Sequence, residues 1–214
     1  MSPIRIGSTY QTKSSGMVEV IDYIDCYNIT VRFLITGSEK KVRAGNLRNG
    51  MVKDLFLPSV CGVGFLGNHK TKAIQSNDIY STWKSMIYRC YSSTSLKYSP
   101  SYHDCRVCDD WHDFSMFEEW YAENHPSDGL PYELDKDIKV KGNRVYSPDY
   151  CQFVTKKENS TQALQRPFKI KSPEGVVVSG VNVRKFCREN GLTNSQVIRL
   201  LNGKCKCHKG WTLA

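Results

Sequence analysis

Two runs of large apolar residues at helical spacing constrain this 214-residue chain more than any other feature. Trp83, Met86, Ile87 and Cys90 recur every three to four positions, as do Trp111, Phe114, Phe117, Trp120 and Tyr121. That period places each set on one face of a helix, and side chains of this size stay out of water by packing on each other. The middle of the chain is therefore predicted to hold a helical aromatic core, with a first helix opening at Ser81-Thr82. A Ser/Tyr/Pro-rich loop is expected over 91–104.

The flanks read differently. From Ile4 to about Leu57 short strands alternate with turns. Ile29, Val31, Phe33 and Ile35 alternate with Thr30 and Arg32, the period of a half-buried strand, although Leu34 breaks it. Thr36-Gly37-Ser38 makes a turn and Lys40-Lys41-Val42-Arg43 returns as a hairpin partner. The expectation is a small SH3-like β-barrel over 1–60, with a docking or structural role. Pro58 to Asn77 follows as a connector expected to pack on the next domain, and the glycines of its Cys61-Gly62-Val63-Gly64-Phe65-Leu66-Gly67 suit close backbone approach.

Within the central domain, 78–160, Leu134 to Ile138 reads as one strand. Lys141-Gly142-Asn143-Arg144 reads as a turn, and Val145-Tyr146 as the return strand. Pro148 to Asn159 then forms a loop leading into a helix, giving a β-turn-β-helix layout. The last module, 168–214, opens on a hairpin from Phe168 through Ser172-Pro-Glu-Gly175 to Val178. Asn182 caps a helix over 183–189, Gly191 turns the chain, and Thr193 caps a second helix from 194 to about 201. Val183, Phe186, Leu192, Val197, Ile198, Leu201 and Trp211 are expected to close a small core, making a helix-turn-helix. The fold class is α+β.

No apolar run approaches the ~20 residues that cross a bilayer, and Met-Ser-Pro-Ile-Arg-Ile-Gly lacks the apolar stretch of a signal peptide. A cytoplasmic protein with no membrane partner is expected. Nine cysteines are an odd and sparse set, so in a reducing compartment they are core thiols or metal ligands. Cys105-x-x-Cys108 has ligand spacing, and Cys90 and Cys151 flank the same core; the four are a candidate structural Zn²⁺ site, against buried free thiols.

The formal charge of +9 is uneven. Residues 161–214 hold ten Lys/Arg against two Asp/Glu, while 78–160 hold ten against fourteen. The last quarter is thus the candidate grip on a phosphate backbone. With Val197, Ile198 and Leu201 inward, Asn194, Ser195, Gln196 and Arg199 face out, side chains able to read base edges in a major groove. Lys204, Lys206, His208 and Lys209 follow as a basic strip. Double-stranded DNA is the expected partner; a basic helical hairpin that binds nothing is the alternative.

This segment carries a resemblance. Ser172-Pro-Glu-Gly, Asn182-Val-Arg-Lys-Phe-Cys-Arg-Glu-Asn-Gly-Leu and Leu201-Asn-Gly-Lys with His208-Lys-Gly-Trp resemble the nuclease-associated modular DNA-binding repeat over about the last 47 residues. Residues 80–160 resemble phage HNH-type, homing-endonuclease-like proteins through Trp83…Met86…Arg89-Cys90-Tyr91, Cys108-Asp-Asp-Trp111, Leu134-Asp135-Lys136 and Tyr146-Ser-Pro…Cys151…Asn159. The resemblance implies a ββα-metal domain holding Mg²⁺ or Mn²⁺, with Asp135 matching the metal-binding Asp and Asn159 the helix residue. Asp137 adds a second carboxylate on the same strand face.

Two positions depart from the pattern. Lys136 stands where the general-base His belongs, and Tyr150 where the loop-supporting Asn belongs. An ordinary lysine, titrating near ~10.4, is protonated at neutral pH and takes no proton from water. It can stabilise charge developing on a phosphate. His103, His112 and His125 are the imidazoles able to act as base from outside the motif. The implied function is metal-dependent cleavage of duplex DNA in a bacterial host cytoplasm. The alternative is an inactive HNH scaffold acting as a DNA-binding regulator or as an inhibitor of a host protein. An RNA-binding module is disfavoured by the lack of a stacking-aromatic motif.

Overall fold

A computed structural model describes residues 3–72, 77–163 and 167–214, apart from the side chains of 161–163. Its buried apolar residues gather in three clusters. The first comes from a four-stranded antiparallel meander: β1 (Thr9–Gln11), β2 (Met17–Asp25), β3 (Asn28–Phe33) and β4 (Glu39–Val42), in that spatial order. Val18, Val20, Ile29, Val31, Phe33 and Val42 point to one face, which is buried with Ala44 and Leu47 of α1 (Ala44–Arg48). Period two along β3 is what produces that face.

The expected barrel is not formed. β1 pairs only with β2 and β4 only with β3, so the described sheet is open, and its apolar face is covered by a helix rather than by closure. The strand also stops sooner than the alternation predicts. Phe33 is its last residue, Gly37 donates its N–H to the Phe33 carbonyl, and Ile35 is 63% exposed. Buried Asp54 fixes that turn, accepting from Thr36 Oγ1 at 2.6 Å, Ser38 Oγ at 2.9 Å and the Phe56 N–H at 2.9 Å.

The central cluster is built on α2 (Asp78–Tyr91) and α4 (Phe114–Asn124). Asn77 caps α2 by accepting from the Ile79 N–H, so the helix begins before Ser81-Thr82; Asp113 caps α4 in the same way through Ser115. Trp83, Met86, Ile87 and Cys90 form the buried face as the spacing predicts. Trp111 lies in a short 3₁₀ turn ahead of α4, where its carbonyl accepts the Trp83 indole N–H at 2.7 Å. Trp111 meets Phe117 edge-on at 5.0 Å and Trp120 at 4.7 Å, contacts worth ~0.5–1.5 kcal/mol each beyond their burial. The loop expected over 91–104 contains a one-and-a-half-turn helix, α3 (Ser93–Tyr98).

The connector packs on this cluster through Val60 and Leu66, and Phe65 bridges to Asp113. Two of its glycines, Gly64 and Gly67, are there for contact. A Cβ on Gly64 would stand 3.0 Å from the Trp83 ring, and one on Gly67 would enter the Asp113 carboxylate.

Strand pairing corrects the expected hairpin. β5 (Arg106–Val107) pairs in parallel with β7 (Val145–Tyr146), while β6 (Tyr132–Asp135) pairs antiparallel with β8 (Gln152–Thr155). β8 leads directly into α5 (Lys156–Ala163). The ββα unit is therefore β6, β8 and α5; residues 145–146 are not its second strand, and 152–155 are a strand rather than loop.

The third cluster belongs to β9 (Phe168–Lys171), β10 (Val177–Gly180) and β11 (Thr212–Leu213), packed with α6 (Val183–Glu189) and α7 (Asn194–Leu201). The sheet order is β10-β9-β11. Asn182 caps α6 by accepting from the Lys185 N–H at 2.9 Å, as expected. Thr193 starts α7 without a side-chain cap. The buried residues of α7 are Val197 and Leu200, while Ile198 is 41% exposed and Leu201 half-buried.

Candidate functional site

Asp135 ends β6, and its side chain is the reason the strand stops there. Oδ1 accepts from the N–H groups of Asp137 at 2.9 Å and Ile138 at 2.8 Å, turning the backbone away from the sheet. The expected strand over 134–138 is cut at this residue, so Asp135 and Asp137 do not share a strand face. Lys136 follows with its side chain only 11% exposed. Its ammonium is 3.2 Å from Asp137 Oδ2 and lies 5.7 and 5.8 Å from the ring centres of Tyr102 and Tyr146.

The loop after this turn is braced by Asn143. Its Nδ2 donates to the carbonyls of Lys136 and Val145, both at 2.7 Å, and its Oδ1 accepts from the Val145 N–H at 3.2 Å. This is the supporting role expected at Tyr150, which instead stands exposed at the surface. An Asn in a Gly-Asn turn was legible only as a turn residue. Asn159, on α5, donates to Glu133 Oε2 of β6 at 2.7 Å, tying the helix to the strand.

Asp135, Lys136, Asp137 and Asn159 line one cleft of about 960 Å³. Glu133 and Leu134 line the same cleft, as do Ser81, Ser85 and Arg89 of α2. Of the three imidazoles considered, His125 lines the cleft. It stacks on Tyr121 at 4.6 Å and meets Tyr132 and Phe153 edge-on. His112 is drawn into the core beside the Tyr91 hydroxyl, 3.2 Å away. Burial raises the Tyr146 phenol, with the Arg89 guanidinium opposing it, so this group stays a neutral hydroxyl at the cleft floor.

The four cysteines considered as zinc ligands sit in or against the central core. Cys90, Cys105 and Cys151 are buried in the central cluster and Cys108 packs against it. Burial pushes the Cys90 and Cys151 thiols up to about 12 and raises Cys108, so each carries its proton. Among the described residues, no three His, Cys, Asp or Glu side chains stand together as a metal-holding group.

In the C-terminal module Ser195 and Arg199 project from α7 into solvent, while Asn194 and Gln196 are half-buried. Lys204 and Lys206 are exposed. His208 and Lys209 do other work. The Thr193 N–H donates to His208 Nε2 at 3.2 Å, and Lys209 Nζ donates to the Gly191 carbonyl at 2.7 Å. Both clasp the turn between the helices, where Gly191 adopts φ +61°. Arg184 and Arg188 on α6 are exposed as well.

No family model matches this chain, and no curated protein matches it. A solved structure described as DNA binding and cleavage by the HNH homing endonuclease I-HmuI aligns with 95% of this chain and 84% of that one. The identity is 15% and the TM-score 0.26, a likeness that assigns neither family nor fold. No described helix is long and apolar enough to cross a membrane.

Proposed function

We propose that this chain binds duplex DNA and that its central cleft hydrolyses phosphodiester bonds with a divalent cation. One observation carries the reading: Asp135, Lys136, Asp137 and Asn159 line a single cleft, and Asn143 braces the loop beside them. Asp135, Asp137 and Asn159 offer the hard oxygen donors that Mg²⁺ or Mn²⁺ takes, and such ions bind through one or two carboxylates while keeping waters. When bound, the ion supplies Lewis-acid stabilisation of phosphate charge. Lys136 adds a fixed positive charge in the same cleft.

His125 is assigned as the proton acceptor, since its imidazole lines this cleft. The oxygen of water bonds to phosphorus, its proton passes to His125, and the bond from phosphorus to the leaving sugar oxygen breaks. That oxygen takes a proton from solvent. Grip on the duplex is assigned to the C-terminal module, through Arg199, Lys204 and Lys206 with Ser195, and with Asn194 and Gln196 at the edge of that face.

Plasmid nicking with Mg²⁺ or Mn²⁺ tests the reading. Wild type is expected to cleave and Asp135→Ala not at all; Lys136→His, which leaves His125 in place and removes the fixed lysine charge, is expected to lower the rate. Because Asn143 already braces the loop, no change at Tyr150 is needed for a fair comparison. A second reading, an inert scaffold that regulates DNA or inhibits a host protein, is favoured by the engagement of Lys136 with Asp137 and two tyrosine rings. DNA binding with no cleavage by wild type or Lys136→His would select it. A structural zinc on Cys90, Cys105, Cys108 and Cys151 predicts about one zinc per chain and destabilisation by a chelator; metal-free protein with unchanged melting leaves them as core thiols.

A further inference from the structure

The polar face of α2 repeats as regularly as its apolar face. Asp78, Ser81, Thr82, Ser85 and Arg89 are spaced by three and four residues and all line the cleft. Ser81 and Ser85 are exposed, and Arg89 is half-buried at the floor. From Ser81 to Arg89 the stripe runs about 12 Å at ~1.5 Å per residue.

Arg89 differs from the other cation that lines the cleft. Lys136 has Asp137 as its carboxylate partner. Arg89 lies beside the hydroxyls of Tyr146 and Tyr102, and no ion pair among the described residues includes it. A guanidinium drawn partly out of water usually answers an anion, and its planar fork matches a phosphate through two parallel hydrogen bonds. Hydroxyls on the same face add donors along the line that a strand's phosphates would follow.

We infer that the Ser81–Ser85–Arg89 face of α2 is a phosphate-backbone subsite, in which Arg89 anchors one phosphate of a DNA strand in the cleft that Asp135 also lines. Tyr146 lies beside both cations, its ring centre 5.8 Å from the Lys136 ammonium and its hydroxyl hydrogen-bonded with Arg89. The subsite rests on the proposed DNA-cleaving function and names the wall that holds the strand. A lone inorganic phosphate is the other source of the same chemistry.

The test uses the full chain and a fluorescein-labelled duplex of about 20 base pairs in EDTA, so that no cleavage intervenes. Affinity is measured over a salt series for wild type, Arg89→Gln, Arg89→Lys and Arg199→Ala. Arg89→Gln is expected to weaken binding several-fold and to lower the slope of log affinity against log salt by about one. Arg89→Lys is expected to keep the slope and lose part of the affinity, because the charge stays and the fork goes. Should Arg89→Gln melt below wild type, the decision passes to Ser81→Ala/Ser85→Ala, changed at exposed positions only. That variant is expected to weaken binding with no change in slope, and unchanged affinity would overturn the subsite.

Binding lost in Arg199→Ala but retained with unchanged slope in natively melting Arg89→Gln overturns the subsite and leaves the proposed function standing. A wild type that binds no duplex overturns both. Sodium phosphate that displaces the duplex more strongly than chloride at matched ionic strength, in wild type and not in Arg89→Gln, would mark a lone-anion pocket and overturn the strand assignment.

Discussion

Lys136 sits in the central cleft with an 11% exposed side chain, paired to Asp137 and flanked by two tyrosine rings, whereas Arg199, Lys204 and Lys206 of the C-terminal module stand in solvent. The first kind of charge is fixed in place and poorly screened. The second is free to move and is strongly damped by salt. Fixed charge suits the stabilisation of one reacting group, and mobile charge suits a grip on a polyanion of any sequence. Under the proposed function the acidic middle carries the chemistry and the basic end most of the grip, and each half of that division can be broken separately.

After the loss at Asp135, the largest effect is expected at His125. His125→Gln should lower cleavage by ~10²–10⁴-fold, the usual contribution of a general base, with DNA affinity unchanged in a binding assay without metal. An equal loss of affinity and rate would move His125 from chemistry to adhesion. Next comes the exposed set. Arg199→Ala should cost ~1–3 kcal/mol of binding to a preferred sequence and less to a random duplex, if the side chain reads a base edge. Equal losses on both duplexes would make Arg199 a phosphate contact like Lys204.

The positions of these residues were unequally legible in the sequence. Trp83, Met86, Ile87 and Cys90 carry their own period, so the helix could be read directly. The end of β6 could not, because it depends on Asp135 turning its carboxylate onto the two N–H groups that follow. Leu134 and Ile138 stand four positions apart and fit one strand face, which hides that turn. In α7, Leu200 and Leu201 both fit a helical face with Val197, and only packing against the β9 sheet chooses Leu200. His208 and Lys209 looked like part of a basic strip. Their partners, Thr193 and Gly191, lie 15 and 18 positions away, a separation that no local pattern encodes.

The smallest effect concerns the buried thiols. Folding raises Cys90 and Cys151 to about 12 through burial, so the protonated form is the one the fold favours. Their contribution is complete below the ordinary thiol range and declines as pH rises from about 9 toward about 12. Stability should therefore be flat in these groups from pH 6 to 8. Iodoacetamide at pH 8 should modify exposed Cys26 and Cys207 well before Cys90 or Cys151, read by peptide mass mapping. Rapid native alkylation of Cys151 would show that the core beneath the cleft opens readily.

The division between fixed and mobile charge is tested most directly by measuring cleavage and binding together on one set of proteins. Wild type, Asp135→Ala, Arg199→Ala and the double variant are compared for single-turnover plasmid nicking in Mn²⁺ and for duplex affinity in EDTA. Asp135→Ala should abolish nicking at unchanged affinity, while Arg199→Ala should weaken binding and leave nicking at saturating protein intact. Nicking by Asp135→Ala at the wild-type rate, or loss of duplex affinity in that variant with its melting unchanged, would contradict it.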